Sequence, residues 1–92
     1  MNNNFSILFY SKDKNLRICI QDYFKKTTFS LNVFEEETTA FQNFQSGKFN
    51  ICLIDYIPED NKVQQLAIMI KSSEKTIPVI FLCDHPSRED IS

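Results

Sequence analysis

Polar or charged residues stand directly after three apolar runs of this chain. The run ILFY is followed by Ser11, Lys12 and Asp13, the run ICLI by Asp55, and the run IPVIFL by Cys83. A carboxylate at the end of an apolar run either caps the segment that follows or takes part in chemistry with its neighbours. Ligands of parallel α/β sheets collect outside the carboxyl ends of the strands. These five residues are therefore the candidate site, provided that the apolar runs are strands.

The first half of the chain predicts two strand and helix pairs. Residues 5–10 form a short apolar run, as in a strand buried on both faces. A helix follows, capped by Asp13 or Asn15, and residues 29–34 alternate as in a strand at the edge of a sheet. The second helix has Thr38 or Thr39 as its predicted N-cap and ends at Gly47, in a left-handed conformation. The predicted buried face of the first helix is Leu16, Cys19, Ile20, Tyr23 and Phe24.

The second half continues the pattern. Residues 51–55 predict a buried strand, residues 63–70 a helix, residues 77–83 a fourth strand, and residues 86–90 the start of another helix. Strands that alternate with helices of this length indicate right-handed crossovers and a parallel sheet covered on both faces. We therefore predict one α/β domain over residues 1–92.

Composition excludes several classes of protein. The 92 residues carry 10 basic and 12 acidic side chains without a basic patch, which argues against binding to nucleic acid. No segment approaches the roughly 20 apolar residues of a membrane span, and no signal peptide is evident, so we expect a cytoplasmic protein. Cys19, Cys52 and Cys83 lack C-x-x-C spacing and are predicted to be reduced core residues. The single glycine, Gly47, excludes a glycine-rich phosphate loop.

The runs ILFY, ICLID and IPVIFLC resemble, in order and spacing, three strands of response-regulator receiver domains. This resemblance implies a flavodoxin-like, CheY-like doubly wound sheet, with its four strands in the order 2-1-3-4. It also implies that Asp55 stands at the phosphoryl-acceptor position. Receivers use an acidic pair after the first strand, which falls here on Ser11 and Lys12. They use a Ser or Thr after the fourth strand, which falls on Cys83.

These substitutions change the expected chemistry. A carboxylate can attack a phosphoryl donor only when the phosphoryl oxygens are neutralised, which Mg²⁺ held by adjacent carboxylates achieves. Asp55 with a neutral serine and a lysine offers little to such a dication. We expect Lys12 to present its ammonium to Asp55 in place of a metal ion, and we expect no cofactor. Asp13 either caps the helix or turns toward Asp55, and in the second case the two could bind Mg²⁺ weakly.

The chain reaches Ser92 before a fifth strand, so the lysine that receivers carry there is absent from this sequence. The fourth strand is then expected to present an open edge. Strand exchange, a homodimer paired along that edge, or a neighbouring domain would each cover it.

The sequence thus predicts a receiver domain of a bacterial two-component regulator, with a role in phosphorelay signal transduction. Its partners would be proteins, a histidine kinase or an output domain, and it would be no enzyme. Phosphorylation of Asp55 with Mg²⁺ would be weak or absent. A receiver still phosphorylated through Asp13 and Asp55 is one alternative. A small flavodoxin-like domain that binds a nucleotide or a flavin is another.

Overall fold

A computed structural model describes residues 5–73 and 76–82 of the chain. Strands and helices alternate along them. The elements are β1 Ser6–Tyr10, α1 Lys14–Phe24, β2 Ser30–Phe34, α2 Glu37–Ser46, β3 Ile51–Asp55, α3 Asn61–Ser72 and β4 Val79–Leu82. None of the helices in these described ranges is both long and apolar enough to cross a bilayer.

The four strands form one sheet in which all neighbours are parallel, in the order β2-β1-β3-β4. The predicted doubly wound α/β architecture and strand order are therefore confirmed, as is the edge position of β2. Tyr10 pairs with Ile54 and Phe34, so β1, β2 and β3 end at the same edge. We call this the carboxyl edge of the sheet. Cys83 and the helix expected at residues 86–90 lie outside the described residues.

The main core lies between the sheet and the pair α2 and α3. Leu8 and Tyr10 on β1 and Cys52 and Ile54 on β3 point to this face. The helices fill the space between them with Ala40, Phe44, Val63, Leu66 and Ile70. Ile7 and Phe9 alternate with the first set and are buried on the opposite face, where a right-handed crossover places α1.

Helix α1 is less buried than its spacing predicted. No residue of α1 is fully buried, and Tyr23 is 67% exposed. Cys19 is exposed as well, so its predicted core position is wrong. The physical reason is that α1 packs mainly along β2 and, among the described elements, is the one helix on its face of the sheet. A helix with a neighbour on one side only cannot bury a wide apolar stripe.

Both ends of α2 also differ from prediction. Glu36, rather than Thr38 or Thr39, is the N-cap residue, and its side chain makes no capping hydrogen bond. Gly47 ends the helix with an extended backbone, at φ −88° and ψ 176°, so the predicted left-handed conformation is wrong. A β-carbon on Gly47 would lie 2.6 Å from a ring carbon of Phe49. Close packing, not backbone freedom, therefore favours glycine here.

Candidate functional site at the carboxyl edge

Asp55 and Ser11 meet at the carboxyl edge, as the sequence predicted. Asp55 is the last residue of β3 and is 7% exposed, while Ser11 follows β1 and is fully buried. The Ser11 hydroxyl donates a hydrogen bond to Asp55 Oδ2 at 2.8 Å. Because Tyr10 pairs with Ile54, the next residue of each strand is brought to the same point of the edge. A neutral donor thus contacts the carboxylate from the position where the resemblance implies an acid.

Ser11 is held in place by further hydrogen bonds. Its backbone N–H donates to the Phe34 carbonyl at 3.1 Å, and its hydroxyl accepts from the Asp13 N–H at 3.0 Å. The Arg17 guanidinium donates to the Ser11 carbonyl at 2.8 Å and pairs with Glu35 at 3.0 Å. The hydroxyl beside Asp55 is therefore positioned by β2 and by both ends of the turn into α1.

Asp13 is the N-cap of α1, which is one of the two roles the sequence left open. Its Oδ1 accepts hydrogen bonds from the backbone N–H groups of Asn15 at 2.9 Å and Leu16 at 3.2 Å. Such a cap satisfies two of the amides that a helix N-terminus leaves without partners. The capping prediction is confirmed, and Asp13 Oδ1 is occupied by the two amides of α1.

Lys12 makes ion pairs with carboxylates from two helices. Its Nζ lies 2.8 Å from Glu37 Oε2 at the start of α2 and 3.3 Å from Asp60 Oδ2 at the start of α3. The hydroxyl of the buried Tyr10 donates to the same Glu37 oxygen at 2.6 Å. We refer to Tyr10, Lys12, Glu37 and Asp60 as the edge network. The predicted contact between Lys12 and Asp55 stays a prediction.

The protonation of the edge network follows from its burial and contacts. Burial raises the pKa of the Tyr10 phenol far above 10, and the hydrogen bond to Glu37 adds to this shift. Burial by itself would raise the pKa of Glu37, but the hydrogen bonds from Lys12 and Tyr10 outweigh it and lower that pKa. The hydrogen bond to Glu37 raises the pKa of Lys12. The network therefore holds a neutral phenol, an ammonium and an ionised Glu37 at neutral pH.

Sequence reasoning missed most of this network. Glu37 belonged to an acidic run that looked solvated, and Tyr10 looked like an ordinary core residue. Asp60 carried a usable signal, because an Asp just before a helical apolar pattern is a common N-cap. It does cap α3, since its Oδ1 accepts from the N–H groups of Lys62 at 2.9 Å and Val63 at 3.4 Å.

The residues described at this edge fit a magnesium ion poorly. Mg²⁺ requires oxygen ligands in near-octahedral geometry, commonly with one or two carboxylates. Here Asp55 accepts from Ser11, Asp13 caps a helix, and Glu37 and Asp60 share an ammonium. Over residues 5–73 and 76–82 no group of three or more His, Cys, Asp or Glu side chains could hold a metal ion.

The two described cysteines differ in environment. Cys52 is fully buried in the main core, as predicted, and burial raises its thiol pKa to about 12. Cys19 lies on an exposed part of α1. Since the thiolate is the reactive form, the buried thiol is chemically inert at neutral pH.

The chain is similar to one curated bacterial protein. It is 25% identical over 91 residues to the transcriptional regulatory protein RprY of Bacteroides fragilis, a match that covers 99% of this chain. The chain spans 39% of the length of that protein. No family model and no solved structure matches it. Together with the strand order, this similarity supports a relationship to the receiver domains of response regulators.

Proposed function

We propose that this chain is an atypical receiver domain of a bacterial two-component system, which signals in the cytoplasm by docking to a histidine kinase or an output domain. Asp55 occupies the acceptor position, and Ser11 and Lys12 replace the acidic pair. The hydrogen bond from the Ser11 hydroxyl to Asp55 is the observation that carries the proposal. A neutral donor at this point supplies no ligand charge for a dication, so phosphorylation with Mg²⁺ is weak or absent.

The test is phosphorylation by a small acyl phosphate. Acetyl phosphate and Mg²⁺ are added to the wild-type chain and to S11D/K12D, which restores two acids, and the intact masses are measured. In the reaction an Asp55 oxygen attacks phosphorus and the bond to the acetate oxygen breaks, leaving one phosphoryl group on the protein. We expect little or no addition to the wild type and a clear gain in S11D/K12D. Adding D55N to that variant should abolish the gain.

Two controls separate a change in phosphorylation from a loss of folding. Because S11D places a second acid at a buried position beside Asp55, K12D alone is also made; it changes a partly exposed side chain but loses the ion pairs to Glu37 and Asp60. Circular dichroism establishes that each variant is folded. Stoichiometric phosphorylation of the wild type on Asp55 would overturn the atypical assignment and favour the reading in which Asp13 and Asp55 support Mg²⁺.

We further propose that a second copy of this chain pairs with β4 along the edge that this strand forms in the described sheet. β4 is the last strand of the described sheet, and Ile80 in it is 43% exposed. Unpaired strand edges with apolar side chains favour pairing with another chain. Sedimentation at several concentrations should reveal a dimer that I80K weakens. A monomer at all concentrations would reject this proposal.

The position of Gly47 argues against nucleotide or flavin binding. Phosphate sites of α/β sheets use glycines at the turns from strand to helix, where the backbone approaches the ligand. Gly47 instead lies at the end of α2, before β3 begins and thus at the opposite edge from Asp55.

A further inference from the structure

We propose that Lys12 is a built-in clamp, whose ammonium couples the start of α2 to the start of α3 and holds the carboxyl edge in one arrangement without a bound ligand. This inference rests on the proposed function in one respect, since a receiver that docks without phosphorylation needs its docking edge already formed. The clamp joins residues that are 25 and 48 positions from Lys12 in the sequence. No local interaction could bring these two helix ends together.

The base of the clamp is rigid. Lys12 lies between Ser11, which is buried and hydrogen-bonded through its N–H, carbonyl and hydroxyl groups, and Asp13, which caps α1. The backbone on both sides of Lys12 is therefore fixed to β2 and α1. Only the side chain needs to be ordered for the ion pairs to form, which limits the entropy lost.

Each carboxylate that receives the ammonium is also fixed by a second group. Glu37 Oε2 accepts from the Tyr10 hydroxyl, and Asp60 uses its other oxygen to cap α3. Their side chains are only 17% and 23% exposed. Ion pairs between exposed, flexible side chains contribute little, but a network of pre-positioned and partly buried groups contributes more.

A contrasting pair elsewhere in the chain provides the control. Lys25, the C-cap residue of α1, lies 3.9 Å from Asp22 in the last turn of that helix, and their side chains are 75% and 74% exposed. Both belong to the same surface, so this pair joins no separate elements. If the ion pairs of Lys12 contributed no more than this exposed pair, K25M and K12M would change the stability of the helix starts equally.

Native-state hydrogen exchange tests the clamp on the intact chain. The reporters are the amides at the two helix starts that donate to the carbonyl of the N-cap residue, Ala40 N–H to Glu36 and Gln64 N–H to Asp60. We expect K12M to speed exchange at both amides by about two- to tenfold, because local opening of either helix start becomes easier. K25M should change neither, and K12R should retain most of the protection.

The possible outcomes separate clearly. Acceleration at both reporters in K12M, with protection kept in K25M and K12R, supports the clamp. Faster exchange of only one of the two amides in K12M, of neither amide, or of both amides equally in K25M overturns it. Equal loss of amide protection in K12R and K12M also overturns it, because a cation would then not be sufficient to hold the helix starts. The measurement uses no phosphodonor. The clamp can therefore fail while the phosphorylation result supports the proposed function, and the reverse also holds.

Discussion

Replacing Ser11 with alanine tests whether its hydroxyl stabilises the buried Asp55 carboxylate. S11A removes one oxygen from a fully buried side chain, so it leaves almost no cavity. It deletes the 2.8 Å donor to Asp55 Oδ2 and also an acceptor for the Asp13 N–H. A hydrogen bond to a charged group contributes about 1.5–3 kcal/mol, and we expect S11A to lower the free energy of unfolding by this amount. Asp13 lies on the surface, where water can replace its lost partner.

Urea unfolding with linear extrapolation measures this loss. In a domain of this size, about 2 kcal/mol corresponds to a fall in Tm of roughly 8–16 °C. S46A is the matched control, because the Ser46 hydroxyl donates to the Gln42 carbonyl of its own helix on an exposed surface. In a D55A background the cost of S11A should fall below about 0.5 kcal/mol, because the two residues are coupled. The reasoning would be refuted if S11A and S46A cost the same.

Three further predictions concern packing, pH and thiol chemistry. G47A should destabilise the fold by about 1–3 kcal/mol in urea unfolding, because the added methyl group overlaps the Phe49 ring, and F49A should relieve part of that loss. Because the pKa of Glu37 is lower in the folded chain than its ordinary value of 4.5, ionised Glu37 stabilises the fold above about pH 4.5. This stabilisation is lost as the pH falls through the lower pKa of the folded chain. The Tm of the wild type should therefore fall more steeply than that of E37Q below about pH 4.5, and parallel curves would contradict the assignment. A thiol reagent at neutral pH should modify Cys19 rapidly and Cys52 only on unfolding, whereas equal rates would contradict the burial described above.

The order of the elements was predictable because each strand carries its own signal. A continuous apolar run marks β1, which is buried on both faces, and β3, which is buried on one face and partly buried on the other, and alternation marks β2 at the edge. Helix burial was less predictable. The spacing in α1 identifies its apolar side, but the amount buried depends on neighbouring elements, and so Cys19 was placed in the core incorrectly.

The site was predictable only where strand register decides it. The approach of Ser11 to Asp55 follows from both residues standing at the ends of neighbouring parallel strands. The partners of Lys12 depend on how far α2 and α3 extend toward the edge and on side-chain reach, neither of which a sequence pattern records. Glu37 therefore looked like one of three equivalent acids, although it alone meets the Tyr10 hydroxyl.

The pairing of β1 with β3 also determines which chemical group faces Asp55. Successive side chains of a strand point to opposite faces, so sliding one strand by a single residue would exchange its two faces. Such a slip would bring an ammonium toward Asp55 in place of the hydroxyl, but it would also turn Leu8 out of the main core and Ile7 into it. The aliphatic pattern of β1 thus selects whether a hydroxyl or an ammonium faces Asp55. A core substitution that shifted this register would therefore change the group beside Asp55.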